Sequence, residues 1–445
     1  MKKIKIFSTI DYILLGCVLA LTAIGIAFIY SASILQDGSA IPAAKFNYIK
    51  QIFWAFAGLV LMVSFAAFDY RKTERYIFWV FIFFIALNVF TAKFGKKING
   101  SRSWLGIGPF GIQPAEFSKI VFIFFLGWYF NTSENEKPLK RFLVSLGILF
   151  LQVISVMLQP DLGTALVFFP IYLFMSFAAG IEYRYIGIVL GIGLLTIIFT
   201  MLPLWQMHIV KATVPAIKFL TEKRLRTIII IALIAIIVIG ILGYFLFNRN
   251  PFFRKFFYWV TYVCAILMIA MVISPVVVKK LKNYQAKRIV IFIDPETDPL
   301  DAGWNILRAK TAIGIGGPIG LGFMKGEQSH KKFIPEQGTD FIFSILAEEW
   351  GFLGGLLVFS LLLSILLRIV HIIKTSSNKY GMYISAGIFG MFFFHIMENL
   401  GMVMGLMPIT GIPLPFLSYG GSSLLTNMMA CGTVMSVRYR RFNFM

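Results

Sequence analysis

Charge is scarce in this chain, and acid, cysteine and histidine are scarcest. Only 14% of its 445 residues are charged, against roughly 25% in soluble domains. With 58% hydrophobic residues and a mean hydropathy of +0.82, it carries more apolar surface than a water-soluble core buries. The three cysteines, Cys17, Cys264 and Cys431, stand singly in apolar runs. No CxxC or Cys/His spacing points to a metal, and they read as small buried hydrophobes. Four lone histidines, His208, His330, His371 and His395, form no ligand pair. No Ser/His/Asp order and no HExxH motif is present. Acids number 20 against 41 Lys and Arg, a net charge of +21. That excess reads either as the basic cytoplasmic loops of a membrane protein or as a response to an anionic substrate or anionic lipids. No soluble basic domain exists to hold nucleic acid.

What is abundant is apolar runs long enough, at about 20 residues, to cross a bilayer. The first, Ile13 to Tyr30, reads as a span rather than a cleaved signal, because it lacks a convincing small-x-small cleavage site and many further spans follow. The pattern predicts an all-α polytopic integral membrane bundle with about twelve spans, near 12–32, 50–67, 76–92, 115–131, 142–158, 161–179, 184–203, 226–247, 256–278, 341–367, 380–406 and 412–436. Lys2, Lys3 and Lys5 precede the first span, and Arg71, Lys137, Lys140, Arg141, Arg368 and Arg438 fall in alternate loops. Both termini are therefore expected in the cytoplasm. Two outer segments break that rule. Trp205 to Leu225 is amphipathic and basic. Lys279 to Asp340 holds ten Lys/Arg and seven Asp/Glu, and its apolar recurrence predicts short amphipathic helices rather than a structureless loop.

Five motifs concentrate the chemistry. "GIGGPIGLG" (314–322) has glycines enough for a phosphate loop but no strand-to-helix context, and reads instead as tight turns and close backbone approach. In "WLGIGPFGIQPAEFSKI" (104–120), Pro114 suits a first helical turn, which puts Glu116 and Lys119 on one face. They are either an interfacial ion pair or part of a polar cavity. In "LQPDLGTALVF" (158–168), Asp161 either caps the next helix or lines a cavity corner. "ENLGMVMGLMPITGIPLPFLSYGGSSLL" (398–425) has three prolines before Gly421, which preclude one smooth helix, and offers the hydroxyls of Ser418 and Ser422. In "KKFIPEQGTDF" (331–341), Lys331, Lys332, Glu336 and Asp340 stand at the lip of a span. Asp340 either caps the helix or, with Thr339 capping, faces a cavity as a general base toward a hydroxyl, beside cations suited to an anionic leaving group.

"QPAEFSK", "QPDLGTA", "FIPEQGTDFIF" and "GIPLPFLSYGGSSLL", in that order, resemble the SEDS (shape, elongation, division, sporulation) family, and its RodA-like members most. The resemblance covers most of the chain. It implies a peptidoglycan glycosyltransferase that polymerises lipid II beside a class B penicillin-binding transpeptidase and other elongation-complex proteins in the bacterial plasma membrane. It maps the essential aspartate onto Asp340, and points to Trp104, Glu116, Lys119 and Asp161 as cavity residues. Family members usually have ten spans. Residues 204–278 therefore read as an insert with two extra spans between an N-terminal membrane half (1–203) and a long outer loop (279–340), followed by the last three spans (341–445). In the mechanism implied, Asp340 takes the proton of an acceptor sugar hydroxyl, and undecaprenyl pyrophosphate leaves. Lys119 holds the pyrophosphate unless Glu116 neutralises it, with Lys331 and Lys332 as further candidates. No ligand set demonstrates a metal, although a divalent cation is able to share that role. A flippase of the lipid precursor and a non-catalytic scaffold are the rival readings.

Overall fold

A computed structural model gives the architecture; it describes residues 10–34, 46–98, 101–107, 110–212, 214–247, 249–281, 283–297, 302–330 and 337–441. Lys2, Lys3, Lys5, Lys331, Lys332 and Glu336 lie outside these. The chain forms two compact units, Met1–Ile181 with Asn305–Met445, and Glu182–Trp304.

The first unit opens with α1 (Tyr12–Ser31), α2 (Asn47–Ala67) and α3 (Ile77–Phe94), followed by a three-stranded antiparallel meander, β1 (Lys96–Ile98), β2 (Ser101–Ile107) and β3 (Phe110–Ile112). It continues with α4 (Pro114–Thr132), α5 (Pro138–Met157) and α6 (Leu162–Ala178). The second unit holds α7 (Tyr183–Trp205), a short α8 (Lys218–Thr221), α9 (Lys223–Leu246), α10 (Pro251–Lys280) and α11 (Asn283–Ile293). After α12 (Ala302–Gly316) the chain returns through α13 (Glu327–His330), α14 (Ile342–Thr375), α15 (Lys379–Val403) and α16 (Gly421–Arg440).

Twelve described helices of 17 residues or more stand where twelve spans were expected. Nine are long and apolar enough to cross a membrane by length and composition. The other three, α4, α6 and α16, carry or adjoin the polar motifs. Two expectations change. The β-meander lies where the pattern gave only a connection between spans. The last helix begins at Gly421 rather than near 412, because Pro413 and Pro415 cannot continue a helical hydrogen-bond ladder.

Inside α14 the helix breaks at Gly351, with φ 64°, a conformation open to glycine at little cost. A break at membrane depth strands backbone groups that lipid cannot satisfy. The glycine-rich segment supplies the partners. Phe352 N donates to Gly317 O (2.8 Å), Leu353 N to Pro318 O (3.1 Å), Leu321 N to Glu348 O (3.0 Å) and Gly322 N to Glu349 O (2.9 Å). This contact is flush: a Cβ on Gly320 would come within 2.1 Å of Glu349 O.

The adjacent Glu348 and Glu349, both fully buried, bind the same segment through their side chains. Glu348 accepts from Gln328 N (2.7 Å) and Ser329 N (3.2 Å). Glu349 accepts from Met324 N (2.9 Å) and Ser31 Oγ (2.5 Å), and lies 3.5 Å from His330 Nε2. His330 Nδ1 meets Ile34 O at 2.8 Å, and Gln337 Nε2 donates to Ala32 O at 2.7 Å. The chain is thus fixed shortly before and shortly after 331–336, within a few residues of Asp340. At another point Asp11 caps α1 through Leu14 N and pairs with Arg368 (2.7 Å) and Arg438 (3.1 Å), joining α1, α14 and α16.

Candidate active site

Pro114 sits in the first turn of α4, where its missing N–H costs nothing. The same turn carries Glu116 and the next Lys119, 5% and 1% exposed, with Lys119 Nζ 2.8 Å from Glu116 Oε1. A third group completes the cluster: His395 of α15, 1% exposed, places Nε2 3.3 Å from Lys119 Nζ. Glu116 Oε2 and His395 Nδ1 are buried without a hydrogen-bond partner among the described residues. Unsatisfied polar atoms in a buried cluster are costly, and they mark a place where water or a ligand belongs.

His395 shares a helical face with Glu398 and Asn399, three and four residues on. Asn399 Nδ2 donates to Asp340 O (2.9 Å) and Ile412 O (2.8 Å), and Thr410 Oγ1 donates to Glu398. One turn of α15, about 6 Å of rise, therefore connects the buried ion pair to the backbone of Asp340. Asp340 is half-buried. It precedes Phe341, which occupies the N-cap position of α14. Neither Asp340 nor Thr339 holds that position, so the expectation that one of them caps the helix is corrected.

Of the two roles left open for Asp161, the structure shows the cap, together with a contact to the α4 corner. Asp161 caps α6, accepting from Thr164 N and Thr164 Oγ1, each at 3.0 Å. It also accepts from Gln113 Nε2 at 2.7 Å. Gln113 N in turn donates to Ser422 Oγ at 3.0 Å. The α6 corner meets the irregular stretch before α16: a Cβ on Gly163 would lie 2.6 Å from Thr410 O. Asp161, Gln113, Ser422, Thr410, Glu398, Asn399, Asp340, His395, Lys119 and Glu116 thus form one connected polar region.

Two expected residues stand apart from this network. The Ser418 hydroxyl accepts from Leu414 N at 2.8 Å and stabilises its own turn; the neighbouring Tyr419 N donates to Gly338 O at 2.9 Å. Trp104, half-buried in β2 opposite Lys96, makes no hydrogen bond to the cluster among the described residues. Lys331, Lys332 and Glu336 lie outside the described residues. The condition set for Lys119 is met: Glu116 neutralises it. His395, Asn399 and Gln113 were missed as site residues. The signal for the first two was present, as polar groups at i and i+4 that share one helical face with Glu398 in an apolar stretch. No three His, Cys, Asp or Glu side chains converge as a metal site among the described residues.

The family model described as "Cell cycle protein" (FtsW/RodA/SpoVE) matches residues 11–216 and 205–442. The chain is 44% identical over 439 residues to Peptidoglycan glycosyltransferase RodA of Treponema pallidum, covering 99% of this chain and 100% of that protein. It is 29% identical over 413 residues to Peptidoglycan glycosyltransferase MrdB of Escherichia coli K12, covering 93% and 90%. Among solved structures, a chain of a peptidoglycan synthase complex superposes with a TM-score of 0.66 at 23% identity, covering 97% and 98%. Thermus thermophilus rod shape determining protein RodA superposes at 0.59 with 20% identity, covering 97% of each chain. These structural likenesses give the fold, and the sequence matches over nearly the whole length give the family: this chain belongs to the FtsW/RodA/SpoVE family of multi-pass membrane proteins.

Proposed function

We propose that this chain is a peptidoglycan glycosyltransferase that polymerises glycan strands from lipid II, in lateral wall elongation and the maintenance of rod shape. The observation that carries the reading is the fixed, half-buried Asp340, joined through Asn399 and one turn of α15 to a buried Glu116–Lys119–His395 cluster. The relatives named as peptidoglycan glycosyltransferases support it.

In this reaction the Asp340 carboxylate takes the proton of the acceptor sugar hydroxyl. The freed oxygen forms a bond to the donor's anomeric carbon, and the carbon–oxygen bond to phosphate breaks. The pyrophosphate on its polyprenyl anchor leaves with the electron pair. One carboxylate suffices because pyrophosphate departs without a general acid. Asp161 and Gln113 hold the α4–α6 corner together. Lys119, already neutralised, positions the α4 turn, and Lys331 and Lys332 retain the role of holding pyrophosphate oxygens. A divalent cation bound with the pyrophosphate would supply further charge neutralisation. The protein acts in the bacterial plasma membrane with both termini cytoplasmic, beside a class B penicillin-binding transpeptidase; the synthase-complex neighbour supports such a partner.

Polymerisation of purified lipid II by the chain in detergent tests this. Glycan product supports the enzyme, since detergent leaves no bilayer to cross. Its absence in protein that retains its fold, with the transpeptidase added, favours a lipid flippase or a scaffold.

A further inference from the structure

In the second unit, α9 and α10 are joined by only four residues (247–250) and run antiparallel, and the longer connection 206–222 folds back so that α7 and α9 do too. The C-terminus of α7, the N-terminus of α9 and the C-terminus of α10 therefore share one end. Packing bears this out: Phe199, Leu220, Ala270 and Met271 form a buried cluster, with Ile229 and Ile230 against it. Leu220 belongs to the connecting segment, so that segment is seated on the bundle. Arg226 fastens it further, donating to Leu220 O at 3.2 Å.

Seven cations gather at this end, Lys211, Lys218, Lys223, Arg224, Arg226, Lys279 and Lys280, and Glu222 is the one acid among residues 206–226 and 279–281. Lys211, Lys223, Arg224, Lys279 and Lys280 are exposed, and Lys218 is half-buried. None of these six is ion-paired among the described residues. The loop bias that orients membrane proteins does not account for them, because it requires asymmetry. The opposite end of the unit is basic too, with Arg184, Arg249, Arg254 and Lys255.

Directly below the cations the surface is apolar. The most apolar window of α9 has a mean hydropathy of 3.1 and is only 11% buried within the protein. Half-buried Trp205 stands at the same end, and tryptophan marks the membrane–water interface. Cations with long apolar stems at that depth keep their stems on hydrocarbon and their heads at the headgroup level.

We infer that this end of the second unit is a binding surface for anionic phospholipid headgroups, with the acyl chains lying along α9. A soluble anion would gain nothing from that apolar flank, whereas a lipid uses both parts. Each cation near an anionic headgroup layer is worth about fivefold in affinity. Native mass spectrometry of the detergent-purified full chain, offered equal phosphatidylglycerol and phosphatidylethanolamine, tests the inference. Wild type should retain phosphatidylglycerol preferentially. The variant K211Q/K218Q/K223Q/R224Q should lose that preference by at least about tenfold, while R249Q/R254Q/K255Q should keep it. If the fourfold variant does not elute as a monodisperse species, K223Q/R224Q, altered at exposed positions only, reads the same contrast. Wild-type preference in the depleted variant overturns the inference, as does equal loss in the opposite-end variant. Displacement of the lipid by millimolar inorganic phosphate overturns it too, since the site would then recognise phosphate alone.

Discussion

At the scale of single residues, partnership decides which polar groups survive inside an apolar bundle. Lys119 and Glu116 are buried together, and each is the other's partner at 2.8 Å. Removing one partner of a buried pair costs about 3–5 kcal/mol, mostly from stranding the other. Glu116→Gln and Lys119→Met should therefore each lower the thermal midpoint in detergent. The double variant should be less destabilised than the sum of the two; strictly additive losses would show that the pair does not couple. The sequence made this pair legible because i, i+3 spacing after Pro114 leaves the two little choice of face. His395 was illegible as a partner, because a lone histidine in an apolar run says nothing of which helix will meet it. Asp161 was legible only as an ambiguity, which the structure resolves by giving it both the cap and the contact to Gln113.

At the scale of elements, the helices follow from hydropathy, and the departures follow from backbone chemistry. Prolines delay α16 to Gly421, and the β-meander is too short and too rich in glycine to announce itself by alternation. The glycine run 314–322 read correctly as close approach. Its target, the break at Gly351, needed the fold to bring the two together. The same docking carries a pH prediction. The Glu349 carboxylate raises the His330 pKa above its ordinary 6.5. The stabilisation is fully present below pH 6.5 and is lost as pH rises through the raised value. Hydrogen exchange at Met324, Gln328 and Ser329, corrected for intrinsic base catalysis, should accelerate over that window. In His330→Gln the acceleration should vanish; its persistence would show that His330 does not control the docking.

At the scale of the whole molecule, membrane sidedness is the property composition predicts least well here, because the second unit is basic at both ends. With both termini cytoplasmic, as proposed, parity of spans puts the α9–α10 connection in the cytoplasm. A cysteine in place of Arg249 should therefore resist membrane-impermeant thiol reagents in intact cells and react after permeabilisation. Labelling from outside would contradict the span count. The central claim is chemical, and it rests on one carboxylate. The most direct measurement is lipid II polymerisation in detergent by wild type and by Asp340→Asn, matched for thermal midpoint. Loss of a general base predicts a rate at least about 10²-fold lower for the variant. Equal rates for the two proteins would contradict the role assigned to Asp340.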